Sequence, residues 1–168
     1  MILDLKQVFI GEKKSMPVDC TLDISQLEYQ NNHPFIDPVR VKGEVSAESG
    51  IVRLKATVYF AYQCACDRCL DAVKRQMQIP IEHVLVTSLS GDDDGELKQV
   101  KHFKLVLDDL VSEDLIISVP SKNLCRDDCR GLCPNCGINL NTQSCACQSN
   151  KIDNRFKILE QLKQSDLQ

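Results

Sequence analysis

Cysteine is the residue type whose spacing could do chemistry in this chain. Six of its ten cysteines crowd the run CRDDCRGLCPNCGINLNTQSCAC, as Cys125, Cys129, Cys133, Cys136, Cys145 and Cys147. Three more, Cys64, Cys66 and Cys69, sit in CACDRCL, and Cys20 stands alone, as a core residue would. Clustered thiols serve as disulfide frameworks, redox centres or metal cages, and composition separates these. With 168 residues the chain can bury a real core and does not need disulfides to fold. MILDLKQVFIGEKK shows no basic segment followed by a long apolar one, so no secretory signal is read there. No apolar run approaches the roughly 20 residues needed to span a bilayer. A cytoplasmic protein without membrane attachment is expected, and there reduced, clustered thiols point to metal.

CPNCG at 133–137 is the sharpest local signal. Two thiolates separated by two residues reach one zinc ion, and a glycine after the second supplies the left-handed backbone that such a turn tends to need. The favoured zinc quartet is Cys133, Cys136, Cys145 and Cys147. Cys125 and Cys129 are alternates, and mixed sets stay open. Cys66 and Cys69 also have ligand spacing. They either close the tail site, form a second pair for another metal, or lie buried as small hydrophobes beside Cys64. Zinc fits such knuckles better than an iron–sulfur cluster. A Cys-x-x-Cys oxidoreductase would want one exposed, activated thiol at a strand-to-helix junction rather than a loop dense in cysteine.

Other chemistry is missing. His33, His83 and His102 are scattered and are expected on the surface or in loops. No glycine-rich phosphate loop, nucleophile elbow or zinc-protease motif occurs. Neither catalytic nor cofactor-binding residues beyond the metal are assigned, and no small-molecule substrate is expected. The net charge of −4 argues against simple electrostatic coating of nucleic acid. From Pro120 onward, however, seven Lys/Arg face five Asp/Glu, a balance compatible with RNA without requiring it.

The elements that position the cysteines read as antiparallel sheet. PVRVKGEV (38–45) and IVRLKATVYFAYQC (51–64) alternate apolar and polar residues, the latter placing Val52, Leu54, Ala56, Val58 and Phe60 on one face. ESG between them suits a hairpin turn. VKRQMQIPIEHVLVTSL continues the alternation, with Pro80 marking an edge or bulge. SGDDDGEL (90–97) reads as a solvated acidic loop and KHFKLVL as a short strand. DDLVSEDLIISV (108–119) shifts to helical spacing, with Leu107, Leu110, Val111 and Leu115 on one side and Pro120 as its stop. IDNRFKILEQLK suggests a C-terminal helix with Asp153 as N-cap and Phe156, Leu159 and Leu162 along one side, docking on the body. MILDLKQVFI suits an edge strand or a short helix, and the rest of the first 37 residues is less regular. The expected fold is α+β: an antiparallel β-meander or partly open barrel, a few helices and a C-terminal cysteine-rich zinc loop. Residues 1–120 would form the sheet domain and 121–168 the metal-binding segment.

Taken together, the Val-rich hairpin, CDRCLDAV, the acidic loop, LVLDDLVSEDLIISVP and CRGLCPNCGINLN closely resemble the large ribosomal RNA subunit accumulation proteins, the YceD-like family, over about residues 35–163. One departure is Asn154, where the family pattern leads us to expect proline. Some relatives lack the cysteine tail, which implies that its metal is not essential to the family's common role. The resemblance implies a non-enzymatic factor for large-subunit (23S) ribosomal RNA accumulation, through processing, stability or early assembly. Its implied partner is that RNA or a pre-large-subunit particle, met directly or indirectly, and Lys122, Arg126 and Arg130 are the cations that the cysteine loop would present to it. A zinc-stabilised adaptor that binds only proteins is the alternative, and a thiol oxidoreductase is the third reading.

Overall fold

The computed structural model describes residues 1–88 and 97–147. The expected acidic loop at 90–97, apart from Leu97, and the expected C-terminal helix lie outside them. Among the described residues the elements are β1 (Ile2–Asp4), α1 (Lys6–Phe9), β2 (Ser15–Leu22), β3 (Val39–Glu48), β4 (Ile51–Ala65), β5 (Ala72–Val86), β6 (Leu97–Gln99), β7 (Lys104–Val106) and α2 (Leu107–Ser118). The main sheet has the order β2-β3-β4-β5-β6 and is antiparallel except for β6, which joins β5 in parallel. It curls into a half-barrel. β1 and β7 form a separate antiparallel pair.

Period-two patterning builds the inner face. Val39, Val41 and Val45 from β3 are buried, with Val52, Leu54, Ala56, Val58, Phe60 and Tyr62 from β4. Gly43 shares the inner face of β3 and pairs with Ala56. A Cβ there would lie 2.1 Å from the Lys55 carbonyl oxygen, so glycine lets β3 and β4 approach where the sheet bends. Leu107, Leu110, Val111 and Leu115 of α2 pack into the same core, as the helical spacing predicts. Ser49 (φ 52°) and Gly50 (φ 82°) form the two-residue hairpin loop between the paired residues Glu48 and Ile51. Pro80 pairs with Thr57 in the stretch of β5 that β6 does not cover, so its missing N–H costs the ladder nothing.

Several details depart from the sequence reading. β2 emerges from the stretch read as irregular, with Val18 and Leu22 buried and Cys20 half-buried against the core. MILDLKQVFI forms both β1 and α1. The strand expected across KHFKLVL is confined to Lys104–Val106, because His102 and Phe103 turn the chain with φ of 53° and 59°. His83 is not a loop residue. It lies on β5, where Nε2 is 2.7 Å from Asp114 Oδ2 on α2, tying sheet to helix. His33 and His102 are exposed. No helix among the described residues is long and apolar enough to cross a membrane.

Candidate metal centre

β4 and β5 pair out to Ala65 and Ala72, which leaves CDRCLD (66–71) as the tip of a long hairpin. Residues 121–147 contain neither helix nor extended strand and fold against this tip. The packing there is a small cluster of its own: Cys66, Cys69, Val73 and Cys129 are buried, with Cys64, Leu124 and Leu132 around them. Few aliphatic groups take part, so side-chain burial contributes little to holding the tail.

The eight cysteines other than Cys20 and Cys64 gather into two quartets. Cys66, Cys69, Cys125 and Cys129 form one; Cys133, Cys136, Cys145 and Cys147 form the other. Within each, all four Sγ atoms lie within 4.8 Å of one another. In the first, Cys66 Sγ lies 3.8 Å from Cys129 Sγ and Cys69 Sγ lies 3.6 Å from Cys125 Sγ. In the second, Cys145 and Cys133 are 3.5 Å apart. A tetrahedral ion with metal–sulfur bonds of about 2.3 Å spaces its ligands by about 3.8 Å. Both quartets have the dimensions to hold one such metal ion. The sulfurs of a multi-iron cluster would stand farther apart, because the cluster itself fills the centre.

The two Cys-x-x-Cys turns share one backbone design. In the first, Cys66 N–H donates to the Asp71 carbonyl (2.8 Å) and Leu70 N–H to the Cys66 carbonyl (2.9 Å). In the second, Cys133 N–H donates to the Ile138 carbonyl (2.8 Å) and Gly137 N–H to the Cys133 carbonyl (2.9 Å). The residue after the second cysteine is left-handed in both, Leu70 at φ 64° and Gly137 at φ 73°. Glycine makes the second turn visible in the sequence; leucine conceals the first.

The turns also prepare the sulfurs for negative charge. Burial opposes ionisation of Cys66, yet the N–H groups of Cys69, Arg68 and Cys125 outweigh it and lower the thiol to about 6. The N–H groups of Cys136 and Asn135 lower Cys133 to about 6 as well, helped by the Cys145 thiol. Cys129 is held down against its burial by the Asn141 amide and the Gly131 N–H. Cys147 is pushed up, chiefly by the Cys136 thiol. Each quartet thus contains a thiol poised as thiolate beside others that a divalent ion would have to deprotonate.

Polar residues between the cysteines brace the cages. Asn141 Nδ2 donates to Cys129 Sγ (3.2 Å), while its Oδ1 accepts from Arg130 N–H (2.8 Å) and the Arg126 guanidinium (2.9 Å). Asn139 Nδ2 donates to Asp71 Oδ2 (3.0 Å), and that oxygen is 3.2 Å from Cys69 Sγ. Gly131 (φ 74°) passes so close to the hairpin tip that a Cβ would lie 2.9 Å from the Arg68 carbonyl oxygen. Leu132 N–H donates to that same carbonyl (3.0 Å), and the Arg68 side chain donates to the Cys129 carbonyl (2.7 Å). Buried Asn123 exchanges hydrogen bonds with Asp67 and donates to the Tyr62 hydroxyl. Sequence reasoning missed these bracing residues, although the spacing of Asn139 and Asn141 after CPNCG was available as a signal. Of the candidate contact cations, Lys122, Arg126 and Arg130 are all exposed, and Arg126 is also paired with Asp128.

A family model described as "Large ribosomal RNA subunit accumulation protein YceD" matches residues 54–163, which takes in the β4–β5 hairpin and every cysteine of both quartets. The chain belongs to the YceD family. Among curated proteins, the uncharacterized protein YlbN of Bacillus subtilis is 25% identical over 157 residues, covering 92% of this chain and 91% of that one. Uncharacterized proteins of Mycobacterium bovis and Mycobacterium tuberculosis are 28% identical over 102 residues, 58% of this chain. This YceD-family chain spans about half the length of those mycobacterial relatives, 49% of each. No solved structure matches.

Proposed function

We propose that this chain is a non-catalytic factor for accumulation of the large-subunit (23S) ribosomal RNA. It acts in the cytoplasm, on the RNA or on an early large-subunit particle, during processing, stabilisation or assembly. The observation that carries this reading is the family match across residues 54–163, together with the description that the family bears. Zinc is the metal we assign to Cys133, Cys136, Cys145 and Cys147, because an all-thiolate, closed tetrahedral set without an open ligand position suits a structural zinc ion. In this reading zinc shapes a loop that has too few apolar residues to shape itself. Lys122, Arg126 and Arg130, exposed beside the cages, are the groups that would meet phosphate.

Crosslinking of the tagged protein to RNA in its own cells, followed by sequencing, tests the reading. Enrichment of large-subunit ribosomal RNA or its precursor over a control protein is the expected result. Equal recovery from both would reject direct contact and leave a protein-only adaptor as the better account. Neutralising Lys122 and Arg130 together should lower the crosslinking yield while zinc content stays unchanged; Arg126 is kept in this variant because its guanidinium bonds Asn141.

A further inference from the structure

We propose that Cys66, Cys69, Cys125 and Cys129 hold a second zinc ion, and that this ion bolts residues 121–132 onto the tip of the β4–β5 hairpin. The inference is independent of the ribosomal reading, since it concerns how the chain holds itself together.

Three observations carry it. The Cys66–Cys69 turn repeats the hydrogen-bond pattern of the Cys133–Cys136 turn bond for bond, including the left-handed residue that follows. In that conformation a leucine, 66% exposed, contributes almost no packing to offset its backbone strain. A metal that both cysteines must reach accounts for a turn that the leucine itself disfavours. Second, three of the four ligands are nearly inaccessible: Cys66, Cys69 and Cys129 are 0%, 3% and 2% exposed. Two of these sulfurs accept hydrogen bonds, as thiolates bound to metal do: Cys125 N–H points at Cys66 Sγ (3.3 Å) and Asn141 Nδ2 at Cys129 Sγ (3.2 Å). Third, the ligands join distant parts of the chain. The sulfur contacts span sequence separations of 63 and 56 residues, whereas Cys133 to Cys147 is a single local loop.

The two cages therefore have different tasks. The first closes a long loop and fixes where the tail sits. The second closes a short loop already carried by the first. Losing the second should unravel residues 133–147 and leave the tail attached; losing the first should release the whole tail from the hairpin. Binding is stoichiometric ligation: each ion displaces the remaining thiol protons of its quartet to solvent, with no change of oxidation state.

Elemental analysis and cobalt titration of the reduced full chain test the proposal. Two zinc ions per chain are expected, with a cobalt endpoint at two equivalents and the spectrum of tetrahedral thiolate ligation throughout. One ion per chain, an endpoint at one equivalent, or iron with a cluster spectrum would each overturn it. The double variant Cys66→Ser/Cys129→Ser should hold one ion and lose hydrogen-exchange protection across 121–132. Cys133→Ser/Cys136→Ser should also hold one ion, but keep that protection. Equal protection in both variants would overturn the bolting role. Should the first variant prove insoluble, the wild-type cobalt endpoint still decides for or against the second ion.

Discussion

Leu70 and Gly137 occupy the same position in two like turns, so exchanging one for the other measures what the side chain costs. A left-handed conformation costs an ordinary residue about 1–2 kcal/mol. Glycine gives back about 0.4–1 kcal/mol of that by loosening the unfolded chain. Leu70→Gly should therefore keep the full metal content and raise stability by no more than about 1.6 kcal/mol, read from the denaturation midpoint. Asn141 is the opposite case, a residue outside the quartets that ties Cys129 Sγ and the Arg130 N–H together. Asn141→Leu should weaken metal affinity by about 10–100-fold, as loss of an outer-sphere bond to a ligand does, in a chelator competition. The thiols also set a direction with pH. A group whose pKa falls on folding stabilises the folded form above its ordinary value, and that contribution is lost as pH drops through the folded value. With Cys66 and Cys133 held at about 6, metal release into a chromogenic chelator should rise as the solution is acidified through about 6. Release that is flat or falling across that interval would contradict the assignment of these thiols as ligands.

Among the elements, the β3–β4 hairpin and α2 were legible from pattern alone, because each has one buried face and the residue period states which. β2 carried the same alternation at Met16, Val18, Cys20 and Leu22, but Pro17 and the polar residues around it obscured the pattern. Pro17 is tolerated because β2 is an edge strand, paired with β3 alone. β1 and β7 fall inside segments whose pattern suggested strands, but no local signal could announce β6 or the pairing of β1 with β7, since three-residue strands are placed by their partners rather than by propensity. Gly43 is where the curl of the sheet is most exposed to mutation. Gly43→Val should destabilise the protein by about 1–3 kcal/mol, because its side chain would be driven into the β4 backbone and the strands would have to part. Metal content should survive that change, since the ladder between Ala56 and Ala65 separates this point from the cages.

On the scale of the whole molecule, a curled sheet closed by α2 carries, at the end of the long β4–β5 hairpin, a cysteine-rich tail whose quartets could hold metal. The amino-acid sequence by itself determined the sheet-rich class, the core faces of β3, β4 and α2, the family, and the likeness of CPNCG to a metal knuckle. Those are properties of neighbours along the chain, where spacing and period are read directly. Only the tertiary structure decided how the thiols divide. Cys125 and Cys129 stand closer in sequence to Cys133 than to Cys66, yet they complete the hairpin's quartet. The reason lies in Gly131, whose missing side chain lets the tail lie against Arg68, and in the bonds from Leu132 and Arg68 that hold it there. Partition of ligands between two cages depends on where a loop is laid down in space, and no spacing rule along the chain contains that information.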